Sequence, residues 1–462
     1  MKAHPPLPVS IIMAGTTLSR WTLSYFATAF VFLLLAEALM TFGVGYPAHP
    51  LRAPQTLFLV HCITLGWLSL LMCGALFQFV PVLVAKPIYS NSLPLLALVL
   101  ILAGLLALLA GFLQLAGVLP FIRHCFLAAA VLLGSGFLLV LWILGCTLAR
   151  ARPLNLPACF VVVGLCSVAA TVTFGSIFML GFGGYANMPL LAELHARGVP
   201  LHVIAGLGGW LTFTAMGVSH RLLAMFMLSP ELDGAPTRWT LYLGALSMVI
   251  LIGAGIVATI TGISLTPVLA VAGLAALFSL VLYAHDVLRL YRKRVRPVIE
   301  LNSRMAGVAL GHLAVAALLI LICAASGVIL QYSGALVFLV CFGWLSGLGL
   351  AKLYKITAFM TWLECYGPVL GKTPTPRVQD LVVEPRAGKW FWAYFGAVDI
   401  AVLCLFIGTP LIFRAAAAVM LIACVGIAVE LVRIRRLVDV EAARRLPAGT
   451  RQPRLLFTLV AS

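Results

Sequence analysis

Charge is what this sequence has least of. Only 9% of the 462 residues are Asp, Glu, Lys or Arg, and 13 of those are acidic. A water-soluble domain is typically about 25% charged, so a surface built to face water is excluded for most of the chain. Chemical motifs are also missing. No phosphate-binding loop or dinucleotide fingerprint occurs, which removes the usual grounds for a nucleotide site. The eleven cysteines contain no C-x-x-C pair, so neither a disulfide framework nor a zinc cluster is indicated. Most, such as Cys62, Cys73, Cys166 and Cys404, lie in apolar segments, as small core residues do. No H-x-x-x-H, H-x-H or His-His pair is present, which gives no support to a preformed all-histidine copper site. The first apolar run, after Trp21, is too long for a signal h-region and lacks a cleavage site.

What is present is hydrocarbon. The composition is 63% hydrophobic, with a mean hydropathy of +1.14. A spanning helix needs roughly 20 apolar residues, so twelve spans with short connections use nearly the whole length as one membrane domain, 1–462. The apolar runs predict spans near 24–45, 56–81, 93–118, 121–148, 157–184, 199–228, 238–262, 265–288, 305–330, 334–361, 391–412 and 414–434, followed by a basic tail, 437–462. The net charge of +17 does not point to nucleic acid, because the basic residues cluster at span ends. Of 30 Lys and Arg, four (Arg52, Arg123, Arg197 and Arg414) fall on one side and two (Lys352 and Lys355) within the tenth span, leaving 24 on the other side. The positive-inside rule puts those 24, and both termini, in the cytoplasm. The expected partner is a lipid bilayer, crossed many times with both termini inside.

Three spans carry a repeated string. The second has Gly66-Trp67-Leu-Ser69 with Gly74 and Gln78, and the sixth has Gly209-Trp210-Leu-Thr212 with Gly217 and Arg221. The tenth has Gly343-Trp344-Leu-Ser346 with Ala351 and Lys355. Each interval between tryptophans holds four spans, so the fold class expected is all-α, with three parallel four-helix repeats near 21–150, 155–296 and 303–436 around a pseudo-threefold axis. Gly-Trp in one helix is ordinary close packing; the same string at matching places in three units is a repeat.

Ionisable groups at membrane depth mark candidate sites. His61 lies about 8 Å below the start of its span and His202 about 5 Å, at about 1.5 Å per residue. Standing on equivalent helices, they could face a shared ligand, since neutral imidazole binds metals and haem iron. The bland alternative is a histidine bonded to a neighbouring helix. His49, His124 and His195, at or near the same face, are weaker candidates, suited to solvation or interfacial anchoring. His220, His285 and His312 fall toward the cytoplasm. Lys352 and Asp399 are reckoned to similar depths and are expected to form a structural ion pair. Arg221 and Lys355 are expected to snorkel to the inner interface. Glu37 has no evident partner.

Three four-helix arcs with equivalent second, sixth and tenth helices resemble the haem–copper oxidase subunit I superfamily. The strings Leu57-Phe-Leu-Val-His61 to Phe79-Val-Pro81, Leu201-His202 through Trp210 to Met225-Phe226, and Leu353-Tyr354-Lys355-Ile356 to Trp362-Leu-Glu-Cys-Tyr366-Gly367 are similar to compact bacterial relatives of that subunit, with NnrS-type proteins as distant kin. The resemblance covers essentially the whole chain. It matches His61 to the second-helix haem ligand, and His202, within about a turn, to the sixth-helix copper ligand. The chain departs from the pattern elsewhere. The seventh span has no histidine, and Phe338 stands where the tenth-helix ligand would be. The resemblance therefore implies at most a b-type haem on His61 with His202 or another outer histidine, with copper and complete oxygen-reducing chemistry not expected. It implies a role in respiration or in a nitric-oxide or redox response, with an electron donor or respiratory complex as partner. No catalytic residue follows from the sequence. Two other classes stand beside it: a cofactor-free scaffold or assembly factor, and a metal or small-molecule transporter. The parallel threefold repeat counts against the latter, since transporters commonly carry two-fold repeats.

Overall fold

The computed structural model describes residues 19–120, 124–185 and 188–458. The expected start of the fourth span at 121, Arg123 and the last four residues of the tail lie outside these. Among the described residues the structure is helical, with twelve helices long and apolar enough to cross a membrane. They are α1 (Thr22–Thr41), α2 (Pro54–Val84), α3 (Leu93–Leu115), α4 (Cys125–Ala149), α5 (Leu156–Phe182) and α6 (Val199–Met227). The others are α7 (Ala235–Ile260), α8 (Thr266–Arg292), α9 (Leu301–Ala325), α10 (Ser333–Val369), α11 (Glu384–Ile407) and α12 (Pro410–Arg435). The chain thus has one face where α1 starts and α12 ends, called here the N-terminal face, and an opposite face.

The expected spans fall on these helices, and the differences lie at the ends. α11 starts seven residues before the apolar run, at Glu384, because a helix needs internal hydrogen bonds rather than apolar side chains once it leaves hydrocarbon. α10 runs on to Val369 for the same reason. A further short helix, Pro189–Arg197, lies across the opposite face between α5 and α6. Its Arg197 bonds Glu193 at 3.1 Å and the carbonyl of Ile263 at 3.3 Å, tying this helix to the α7–α8 connection.

The core sits on the helices that carry the repeated string. Of the most apolar stretch of α10, 83% is buried, against 17% in α8 and in α9. α1 packs on α12 and α4 on α5, so the first set of four helices packs edge to edge on the third and on the middle set. At the centre, α2, α6 and α10 each widen to π-helix, over Cys62–Ser69, Ile204–Phe213 and Leu339–Ser346. These three stretches touch one another.

The repeated residues explain themselves there. Trp67 Nε1 donates to Ser346 Oγ at 2.8 Å, Trp210 Nε1 to Ser69 Oγ at 3.1 Å, and Trp344 Nε1 to Thr212 Oγ1 at 3.2 Å. Each hydroxyl belongs to the residue two places after the tryptophan of another string, so the three bonds close a ring. All three indoles are buried, where an unpaired N–H would cost about 1–3 kcal/mol. The glycine before each tryptophan leaves room for the first helix of its own set. A side chain at Gly66 would meet Phe32 of α1, one at Gly209 would meet Ser167 of α5, and one at Gly343 would meet His312 of α9. The string is therefore a packing and hydrogen-bonding unit, used three times.

The tail does not hang free. Thr458 N donates to the Arg20 carbonyl at 3.1 Å, its hydroxyl donates to the Ser19 carbonyl at 3.0 Å, and the Ser24 hydroxyl donates to the Leu456 carbonyl at 2.6 Å. Arg20 lies over the rings of Trp21 and Phe457. Chain entering α1 and chain leaving α12 are thus bound together across the N-terminal face.

Candidate functional site

The best-organised polar groups near the opposite face are His61 and His202. His61 sits two turns into α2, and its Nδ1 lies 2.7 Å from the Leu57 carbonyl one turn back. His202, near the start of α6, reaches across to α5, with Nδ1 3.0 Å from the Thr171 carbonyl. A carbonyl only accepts, so each Nδ1 must carry the proton and each Nε2 keeps its lone pair. This is the tautomer of a metal-ligating histidine whose second nitrogen is fixed by a backbone carbonyl. Gly175 of α5 makes room for His202, since a Cβ there would lie 3.3 Å from the ring Cε1. The two imidazoles are close enough to interact electrostatically.

Aromatic rings join them. His61 packs on Phe112 at 5.2 Å, Phe112 on Phe182 at 6.2 Å, Phe182 edge-on to His195 at 5.1 Å, and His195 on Phe178 at 6.0 Å. Phe178 in turn meets His202 at 5.4 Å. His195, on the short helix, therefore belongs to the same cluster, and its Nδ1 is buried without a hydrogen-bond partner. The sequence offered no signal for this, because the phenylalanines come from α3 and α5 and read as ordinary core residues.

The other candidates stand apart. His124 is exposed and bonds the Tyr185 hydroxyl. His49 lies in the α1–α2 connection with a buried, unpartnered Nδ1. The expected Lys352–Asp399 ion pair is not made. Asp399 accepts from His312 Nε2 at 2.9 Å, with its side chain 65% exposed on the outside of the bundle. Lys352 Nζ is buried without a hydrogen-bond partner, 5.7 Å from the Phe226 ring centre. The reason is depth as well as direction. Phe395 packs where Gly347 leaves space, so Asp399, one turn on, is level with residue 343 and about 13 Å from the level of Lys352 at 1.5 Å per residue. Counting from span ends hid this, because α10 and α11 do not end at one level: with Phe395 beside Gly347, the first residue of α11, Glu384, stands level with residue 358, and α10 runs on to Val369.

Neither Arg221 nor Lys355 is a lone snorkelling cation: Arg221 pairs with Glu231, and Lys355 with Glu300 at 2.7 Å. Glu37 finds its partner on α12, where Cys424 Sγ lies 3.2 Å from Oε1.

A bare metal ion does not fit what is present. Among the described residues no group of three or more His, Cys, Asp or Glu could hold one. A haem does fit the donor set, because it brings four equatorial nitrogens and needs only one or two axial imidazoles, and two with free Nε2 lone pairs are available here.

No family model matches the chain, and no curated protein sequence matches it. Among solved structures, the chain is similar to a haem–copper terminal oxidase dimer solved by cryo-EM, with a TM-score of 0.62 over 98% of this chain and 87% of that one. Sequence identity is 13%, so the likeness is one of fold. The described residues thus form a multi-pass membrane protein, twelve helices long and apolar enough to span, with the fold of a haem–copper oxidase.

Proposed function

We propose that this is a haem-associated protein of the bacterial inner membrane, allied to oxidase subunit I and serving respiration or a nitric-oxide or redox response without a complete oxygen-reducing centre. The observation that carries this reading is the pair His61 and His202, each with Nδ1 held by a carbonyl and Nε2 free. The absence of histidine from α7 and α10 argues against a copper site and a second haem. A b-type haem bound here, held by His61 with His202 or another outer histidine, would supply one-electron chemistry. The chain's own part is to fix the imidazole tautomers and, through Phe112, Phe178 and Phe182, to keep water from the metal-binding edge. The division into repeats at 21–150, 155–296 and 303–436 belongs to the same reading, supported by the ring of indole hydrogen bonds. So does a cytoplasmic N-terminal face, supported by its basic residues; a reporter enzyme fused to the C-terminus that is active only outside would overturn it.

The test is an absorption spectrum of purified protein from haem-supplemented cells, oxidised and reduced, for the wild type, His61→Ala and His202→Ala. A reduced b-type spectrum weakened or lost in either variant is expected. A featureless wild-type spectrum removes the reading. It would favour a cofactor-free scaffold, for which the phenylalanine rings between the two histidines already speak. Transport along the axis is disfavoured by the three buried indoles that meet there.

A further inference from the structure

Two of the three sets of four helices carry a buried carboxylate at the same place. Asp286 stands twenty residues beyond the first residue of α8, Thr266, and Glu430 twenty beyond the first of α12, Pro410. Each is met by the residue two places beyond the start of the preceding helix, Thr237 on α7 and Arg386 on α11. Each also has beside it the residue ten places after the tryptophan, His220 on α6 and Tyr354 on α10.

The chemistry at the two places differs. Arg386 grips Glu430 with two bonds, at 2.6 and 2.8 Å. Its charge is permanent, so Glu430 is neutralised at every working pH. Asp286 has only the Thr237 hydroxyl, donating to Oδ2 at 2.7 Å, in the place of that arginine. Its nearest cation is optional: His220 Nε2, 3.5 Å from Oδ2, beyond good hydrogen-bond length. Asp286 and His220 are both buried. Asp286 Oδ1 and both ring nitrogens of His220 have no hydrogen-bond partner. A histidine placed for packing alone would have its ring nitrogens satisfied, and a buried carboxylate left without a cation is costly, so the empty pair, neutral imidazole and carboxylate, favours taking up a proton. Among the described residues, no arginine or lysine forms an ion pair with Asp286. Phe160 of α5 lies on the imidazole at 5.4 Å and Tyr283 of α8 edge-on at 5.2 Å. His285 and Tyr291 are also within electrostatic reach.

We propose that His220 and Asp286 form a proton-binding site near the N-terminal face of the middle set of helices. Loading adds one proton from the adjoining water to the pair and breaks no other bond; the loaded pair is imidazolium and carboxylate. The inference does not depend on haem, since it lies at the other end of α6 from His202.

The test is NMR of full-length protein in nanodiscs, with ¹³C-labelled histidine, titrated from pH 8.5 to 5. One imidazole resonance, identified by its loss in His220→Gln, is expected to move from the neutral to the cationic position. In Asp286→Asn that movement is expected to be lost within the range. A His220 resonance that stays fixed in the wild type overturns the proposal; should His220→Gln fail to fold, the resonance is identified by sequential assignment of the wild-type protein instead. A folded Asp286→Asn protein in which His220 titrates unchanged overturns it as well.

Discussion

The middle and third sets of four helices place a carboxylate at the same point, and only the third surrounds it with arginine. Arg386 holds Glu430 and, at 2.7 Å, Asp439; Arg433 also reaches Asp439, at 2.7 Å. The middle set offers Asp286 a threonine and a histidine. The lesson is that a repeated backbone fixes where a charge can sit, while the side chains around it decide whether that charge is permanent. One set is locked, and at the same face its network anchors the first residues of the tail. The other is left able to change.

The largest effect expected from breaking this contrast is at Arg386. Arg386→Met removes the arginine that pairs with Glu430 and one of the two that pair with Asp439, both largely buried, and the cost of breaking a buried pair by removing one partner is roughly 3 kcal/mol or more. Thermal unfolding in detergent should show it as the greatest loss among the variants named here. Next come the indoles. Trp67→Phe, Trp210→Phe and Trp344→Phe each leave one hydroxyl without its donor and should each cost about 1–3 kcal/mol. If one of the three proves neutral, the ring is not the shared device that its geometry describes.

A smaller effect concerns pH. The hydrogen bond from Arg386, and after it that from Arg433, holds the Asp439 carboxyl down to about 2. A group whose folded value is depressed stabilises the fold above its unfolded value, near about 3.9 for Asp, and loses that contribution as the pH falls through the folded one. Stability at the third set should therefore fall between about pH 4 and 2, and in Arg433→Ala, with the folded value raised, the loss should be smaller and should end at a higher pH. Thermal midpoints measured across that range check both. The smallest effect is expected at Arg221 and Glu231, whose side chains are 37% and 74% exposed. Arg221→Ala should change stability by less than about 1 kcal/mol.

Much of this was legible beforehand and some was not. Span number could be read because each apolar run is long enough to be nothing else in lipid. The tryptophan strings marked the centre because a residue needed three times for one contact appears three times. His61 and His202 could be placed near one face by counting along their helices. The cluster with His195, Phe112, Phe178 and Phe182 could not, since it depends on which sides of α3, α5 and the short helix face inward. Glu37 had no visible partner because Cys424 lies 387 residues away. The Lys352–Asp399 pairing failed on the same ground, with span ends standing in for depth.

Composition and hydropathy by themselves thus determined twelve helices and the residues at their common axis, and the basic connections pointed to a direction of insertion. These are one-dimensional properties: how long a segment stays apolar and how often a string recurs. Tertiary structure alone decided the partners, giving Asp399 to His312, Glu37 to Cys424, Glu430 to Arg386 and Asp286 to His220. A partner depends on the rotation and depth of two helices at once, and those are set by packing between segments that no local stretch of sequence contains.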